Sequence, residues 1–247
     1  MTNMTFPVTS KHTGLIEATM QKLFTRTVQV VDIVDIGSAF RIITLGGAAL
    51  CDVTWTPGDK IQIQLGGWVQ RTYTPMDWDA QTGRTRILVY LHADGPGMQW
   101  ARTVAEGDTC IVFGPRKSIR IAPAQAPLIL FGDETSLGLA VALARQQSGQ
   151  TVALLLEATA LAETLPVLEY LQLDDAHVYS RLPVDQHLIA LEEQLSALLP
   201  AHPVANIVLT GNASAIQHVS RFLRTQSGSA GRRQSKAYWA VGKTGLD

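Results

Sequence analysis

Cysteine is scarce: Cys51 and Cys110 are the two in 247 residues. Two distant thiols make neither a disulfide framework nor a metal-binding quartet, and they point to a reducing compartment. An excess of charge of one sign is also missing. Lys plus Arg number 20 and Asp plus Glu 21, so no global basic field recommends a nucleic acid as partner. The first 15 residues contain no apolar core of the kind a secretory signal needs. The longest apolar-rich stretch, Pro127 to Ala144, is interrupted by Asp133 and Glu134 and falls short of a membrane span. The six histidines lack close ligand spacing, so no metal site is expected. Also absent are a Walker A run, a Gly-x-Gly-x-x-Gly fingerprint and a Gly-x-Ser-x-Gly elbow. These absences leave a soluble, cytoplasmic chain, monomeric by default, with no stable membrane association and no nucleic-acid partner.

With 46% hydrophobic and 17% charged residues the chain has material for sizeable cores. From Thr25 onward it alternates like a sheet: Thr27 to Val34, Phe40 to Leu45, Ile61 to Leu65, Arg86 to His92 and Thr109 to Phe113. Turn signals punctuate these runs, Trp55-Thr56-Pro57-Gly58-Asp59 being the strongest. Short strands with frequent Gly/Pro turns predict a closed antiparallel barrel of about six strands. Met98 to Val104 reads as one or two helical turns.

The pattern changes across the linker-like Ala122-Pro123-Ala124-Gln125-Ala126-Pro127. Leu128 to Phe131 is apolar throughout, as in a strand buried on both faces. Helical and strand patterns then alternate: Leu137–Gln147, Thr151–Glu157, Glu163–Leu171, His177–Tyr179, His187–Leu199, Asn206–Thr210, a helix through Arg224, and Lys236–Val241. That alternation predicts a parallel α/β sheet. The expected division is 1–124 for the barrel with an N-terminal arm, and 125–247 for the α/β domain.

Arg71-Thr72-Tyr73-Thr74-Pro75 sets a guanidinium, a phenol and two hydroxyls within four residues, a combination suited to something flat and anionic. Gly132-Asp133-Glu134-Thr135 and Thr210-Gly211-Asn212-Ala213-Ser214 each stand between a strand and a helix. There they either present unpaired helix N–H groups to phosphate or form an ordinary turn with a capping side chain. No acidic residue lies between Glu193 and Asp247, whereas Arg221, Arg224, Arg232, Arg233, Lys236 and Lys243 do. This interval is either a solvated basic face or an anion-binding edge.

Taken in order, Arg71-Thr72-Tyr73-Thr74, His92-Ala93-Asp94-Gly95-Pro96-Gly97-Met98-Gln99-Trp100-Ala101, Gly107-Asp108 and Gly114-Pro115-Arg116 resemble the siderophore-interacting proteins. These are ferric-siderophore reductases within the ferredoxin-reductase-like flavoproteins. Gly132-Asp133-Glu134-Thr135 and Tyr238-Trp239 with Gly242 resemble the same family's later motifs. Two departures stand out. Met98 replaces a hydroxyl residue in the Gly-Pro loop, and Asn212 replaces a carboxylate after Gly211.

The resemblance implies an FAD-binding barrel and an NAD(P)H-binding α/β domain with the flavin between them. It implies Arg71 at the FAD pyrophosphate, Tyr73 against the ring system, and Thr74 at the edge where hydride arrives, with Thr72 a further cofactor-binding residue. His92, Gly95, Gly97, Met98 and Trp100 would hold the ribityl-pyrophosphate region, and Arg116 would close the pocket. Gly132, Asp133, Glu134 and Thr135 would approach the nicotinamide cofactor and the flavin, and Gly211 and Trp239 are further expected cofactor-binding residues. Ser180-Arg181 favours NADPH through the 2′-phosphate, whereas Glu157 read as a ribose acceptor would favour NADH; NADPH is the expected donor. Arg232, Arg233 and Lys236 are the expected contacts for an anionic ferric siderophore or other ferric chelate, reduced to release Fe(II) without a protein iron ligand. A general flavin or quinone oxidoreductase and a non-catalytic siderophore-binding flavoprotein are the alternatives.

Overall fold

One strand that changes partners in mid-course organises the first half of the molecule. The computed structural model describes residues 25–67, 69–92, 94–120, 127–146, 152–226 and 231–243; the proposed arm at residues 1–20 and the proposed boundary at 124/125 lie outside them. Seven strands form one antiparallel sheet: β1 (Thr25–Ile36), β2 (Phe40–Gly46), β3 (Lys60–Gln64), β4 (Gln70–Tyr73), β5 (Pro75–Asp79), β6 (Arg84–Tyr90) and β7 (Thr109–Arg116), in the order β4-β3-β7-β1-β2-β6-β5. The two end strands are consecutive in sequence, separated by Thr74 alone. Tyr73 pairs with Ile61 of β3 and Pro75 pairs with Ile87 of β6. A barrel of six strands is therefore closed by one bent strand counted as two segments, which reconciles six expected strands with seven found. Pro75 has no N–H to give a ladder, so the β3 pairing ends there and the chain is released toward β6.

The barrel interior is apolar, with Val28, Val30, Ile43, Leu45, Ile61, Ile63, Ile87, Val89 and Val112 in one cluster. Along β1 the inward positions change parity, from Val28 and Val30 to Ile33. The register shift between Val30 and Asp32 supplies the extra residue that makes this possible. An eight-residue helix, α1 (Pro96–Thr103), packs near the barrel, burying Met98 and Ala101.

The second half is a parallel sheet of β8 (Leu128–Gly132), β9 (Val152–Ala158), β10 (His177–Ser180), β11 (Asn206–Asn212) and β12 (Arg233–Trp239), ordered β10-β9-β8-β11-β12. Its helices are α2 (Leu137–Gln146), α3 (Leu161–Tyr170), α4 (His187–Ala201) and α5 (Ala213–Thr225). Among the described residues no helix is long and apolar enough to cross a membrane. Strand residues alternate between two cores. Leu128, Leu130, Leu154, Leu156 and Val208 face one way, and Ile129, Phe131, Leu155, Ile207 and Leu209 the other. The first of these cores also takes in Phe40, Ile42 and Met76 from the barrel. The halves thus share buried apolar surface, which holds their relative position more firmly than a polar contact would. Asp77 adds a charged tie across the junction, accepting from Arg86 of β6 and Arg145 of α2.

The backbones of the two halves come close together at Gly138. A Cβ there would lie 2.8 Å from the Thr74 carbonyl oxygen. In an exposed helix Gly→Ala gains about 1 kcal/mol. Gly138→Ala is expected to lose about 1–3 kcal/mol instead, because the added carbon meets backbone. Urea denaturation should show a lower midpoint with an unchanged slope; a raised midpoint would disprove the contact's importance.

Candidate functional site

A cleft of about 430 Å³ opens at the bend. Its barrel wall is Arg71, Thr72, Tyr73 and Thr74 with Leu88, Val89 and Tyr90, and its floor on the α1 side is Asp94 to Met98. Thr135, Gly138, Tyr238 and Trp239 close it from the α/β half, and Lys60, Ser118, Lys236, Lys243 and His92 complete the lining.

The α1 end is suited to anions. The helix begins at Gly95 with Pro96 in its first turn and has no side-chain cap, so early backbone N–H groups have no intrahelical acceptor. A Cβ on Gly95 would meet nothing within 4 Å, and one on Gly97 would come within 3.0 Å of the Arg71 side chain. The missing side chain of Gly97 therefore lets Arg71 lie close against the helix start. Arg71 also donates to the Gln70 carbonyl at 2.8 Å. Met98 is buried at this turn and brings no hydroxyl. The groups at this turn that could hold an anion are the backbone N–H groups and the guanidinium.

Beside it the walls are aromatic. Tyr73 lies 6.1 Å from Trp100, ring centre to ring centre, inclined at 43°. Phe40, Tyr90 and His92 stack in a row at 4.8 and 4.5 Å, and His92 approaches Trp239 at 6.4 Å. Burial pushes the Tyr73 phenol well above its ordinary value, with Arg71 opposing. Tyr238 is pushed up to about 12, chiefly by burial, and its hydroxyl lies 3.4 Å from Thr74 Oγ1. Both phenols stay protonated at neutral pH and are not bases there.

The C-terminal edge of the parallel sheet lies behind Trp239. Connections leave in opposite directions from β8 and β11, and the gap between those two strands is where α/β sheets of this kind take ligands. Thr210 Oγ1 donates to Ser136 Oγ across it at 2.8 Å. Asp133 Oδ1 accepts from the Thr135 backbone N–H at 2.9 Å, and its Oδ2 accepts from Trp239 Nε1 at 2.7 Å. A Cβ on Gly211, whose φ is +95°, would lie 2.4 Å from that carboxylate, so only glycine fits. Asn212 caps α5, accepting from Ser214 and Ala215 N–H. The Gly132 and Gly211 turns thus include the capping side chains of the ordinary-turn reading.

Arg181 leaves the end of β10 and enters an acidic nest. Its Nη2 donates to Glu157 Oε1 at 3.0 Å and lies 3.9 Å from Asp133 and 3.8 Å from Glu134. Its Nη1 donates to Thr159 Oγ1, and its guanidinium carbon sits 5.4 Å from the Trp239 ring centre. Glu157 is itself buried, with its second oxygen 2.8 Å from His187 Nε2.

Of the residues singled out from the sequence, Arg71, Thr72, Tyr73, Thr74, His92, Gly95, Gly97, Met98, Thr135, Lys236 and Trp239 line the cleft. Gly132, Asp133, Glu134, Arg181 and Gly211 form the layer behind Trp239, Ser180 ends β10, and Trp100 backs Tyr73. Arg116 lies outside the lining, its guanidinium bonded to Gln62 and 4.5 Å over Phe113. Arg232 and Arg233 are exposed beside Asn206 and Ile207, at the opposite end of the sheet from the cleft. Lys60, Tyr90, Ser118 and Lys243 also line the cleft, and no sequence motif marks them as site residues. Tyr238 and Gly242 belong to the C-terminal motif, and Lys243, next to Gly242, to the basic interval.

Fold and cleft together define a two-domain architecture of the ferredoxin-reductase type. Phthalate dioxygenase reductase shares it at TM-score 0.72 and 15% identity, over 90% of this chain and 71% of that one. More particularly, residues 66–119 match the model of the siderophore-interacting FAD-binding domain, which bears out the resemblance in the barrel. A siderophore utilization protein from T. fusca superposes at TM-score 0.66 with 20% identity, over 90% of this chain and 95% of that one. The siderophore-interacting protein SipS from Aeromonas hydrophila does so at 0.67 with 21% identity, over 90% and 93%. The chain spans 29% of the full-length CYP116B46 from Tepidiphilus thermophilus, which shares the fold at 0.67. No curated protein sequence matches it.

Burial raises the Asp133 pKa from 3.8 to about 6, against the hydrogen bonds from Thr135 and Trp239. Its folded pKa exceeds the unfolded one, so folding takes up a proton between roughly pH 4 and 6. Stability from this group is greatest below that window and is lost as pH rises through it, by about 3 kcal/mol in all. Urea titrations at pH 4.5, 5.5 and 7 should show this slope in the wild type and not in Asp133→Asn. Identical profiles would refute it.

Proposed function

We propose that this chain is an FAD-dependent reductase that takes electrons from a reduced nicotinamide dinucleotide and delivers them to ferric chelates, ferric siderophores among them. The observation that carries the reading is the cleft at the Thr74 bend. It joins an anion-binding helix start, an aromatic wall and a lysine-bearing rim, between the two halves of a reductase-type fold. The match of residues 66–119 to an FAD-binding domain model supports the same reading.

The residues fit a flat ring carrying a diphosphate. Arg71 and the uncapped α1 turn would hold the diphosphate, since a guanidinium is a permanent, bidentate partner for phosphate. Tyr73, backed by Trp100, would cover the ring, and Thr74 would hydrogen-bond its reacting edge. When bound, FAD supplies the conversion of one two-electron donor into two one-electron deliveries. Each nicotinamide oxidised thus reduces two Fe(III) to Fe(II) and releases one proton. Oxygen-rich chelators hold Fe(III) more tightly than Fe(II), so reduction alone frees the metal. Among the described residues no cluster of His, Cys, Asp and Glu could hold a metal ion, and the reaction requires none. Lys60, Lys236 and Lys243 would attract an anionic chelate to the rim. The aromatic walls keep bulk water from the reacting edge.

Purified protein should carry a flavin absorption spectrum that bleaches anaerobically on adding NADH or NADPH and returns on adding a ferric chelate. Arg71→Ala should bind FAD about 10–100-fold more weakly. Replacing Lys60, Lys236 and Lys243 by Gln should raise KM for an anionic ferric chelate about tenfold and leave a neutral one unchanged. Return of the flavin spectrum with quinones but not chelates would instead make the protein a general oxidoreductase. No bleaching with either nucleotide would rule out reductase chemistry.

A further inference from the structure

The proposed reductase needs a dinucleotide at the C-terminal edge of β8 to β11, and the adenosine ribose belongs on the β9–β10 side of that edge. Discrimination between the two nicotinamide dinucleotides depends on what faces the ribose 2′ position. A basic side chain there accepts a 2′-phosphate, and a surplus of carboxylates repels it. In sequence, Arg181 follows the third parallel strand and reads as a phosphate receptor. In the fold it is already committed.

Glu157 Oε1 and Thr159 Oγ1 accept from its two terminal nitrogens at 3.0 and 2.5 Å, and the carboxylates of Asp133 and Glu134 lie within 4 Å. Trp239 covers one approach to the guanidinium, whose side chain is 23% exposed. Three carboxyl groups surround one guanidinium. His187 does not redress the balance. Its Nδ1 accepts from the Leu182 backbone N–H at 3.1 Å, which places the ring proton on Nε2 facing Glu157. A 2′-phosphate would have to pull Arg181 away from Glu157, leaving that carboxylate buried without its cation.

Resting on the proposed reductase function, we infer that the dinucleotide this site accepts carries a free 2′-hydroxyl, as in NADH, and that Glu134 and Glu157 enforce the choice by neutralising Arg181. This reverses the donor preference expected from Ser180-Arg181 in the sequence. Glu157 acts as a specificity-determining residue through Arg181, not as a direct ribose acceptor, because both its oxygens are engaged.

The test separates the pocket from the chemistry. Calorimetry on the purified flavoprotein would compare adenosine 5′-monophosphate with adenosine 2′,5′-bisphosphate. Steady-state assays would compare NADH with NADPH. The wild type is expected to gain nothing from the added 2′-phosphate and to favour NADH in kcat/KM by about tenfold or more. Glu134→Gln keeps the oxygen that accepts from Thr159 N–H while removing one charge. It should improve the relative affinity of the bisphosphate by about tenfold; Glu157→Gln should act in the same direction. A wild-type bisphosphate affinity tenfold above that of the monophosphate, or a preference for NADPH, would overturn the inference. So would selectivity unmoved by both variants, or failure of both nucleotides to bind. If the nucleotides bind in the expected order but neither dinucleotide bleaches the flavin, the pocket assignment stands and the reductase reading fails.

Discussion

The constraint on which the molecule depends is the break in strand pairing at Thr74. One residue separates a strand bonded to β3 from a strand bonded to β6. The break closes the barrel, because the same piece of chain forms both ends of the sheet order. It also sets the junction with the α/β half, because Gly138 packs against the Thr74 carbonyl. And it sets the cleft, because Tyr73 and Thr74 emerge on the side where α1, β12 and the start of α2 converge. A side chain at such a bend is held by two ladders and by neither, so it can face a ligand without sacrificing a strand. Pro75 ends one ladder and permits the next.

That organisation was largely readable from residue order. Gly/Pro punctuation foretold a barrel, and the alternating helical and strand patterns foretold a parallel sheet. Arg71 to Thr74, the Gly95–Met98 turn and Trp239 could be linked through ordered motifs before their proximity was known. What could not be read was the company each charge keeps. Arg181 has Asp133, Glu134 and Glu157 as neighbours, residues 24 to 48 positions earlier. They meet because parallel strands deliver their C-terminal ends to one edge, a consequence of topology that no local pattern carries. Arg232 and Arg233 illustrate the converse. They precede Trp239 closely in sequence, but six steps along an extended strand cover roughly 20 Å. The basic interval that looked continuous is split between two ends of a sheet.

The site consequently has two electrostatic faces. On the barrel side and the rim stand Arg71, Lys60, Lys236 and Lys243. Behind Trp239 lie three carboxyl groups and one guanidinium. Trp239 touches both, with its indole N–H bonded to Asp133 and its ring near His92 and Arg181. An apolar ring between opposed charges limits how far water can screen one from the other, so each retains its selectivity. On the proposed reading, multiply charged anions would be favoured on the open, basic side and resisted on the acidic one. The proposed reductase would admit an anionic chelate and a dinucleotide through neighbouring surfaces and would gain from that separation, because each ligand would then be poorly received in the other's place.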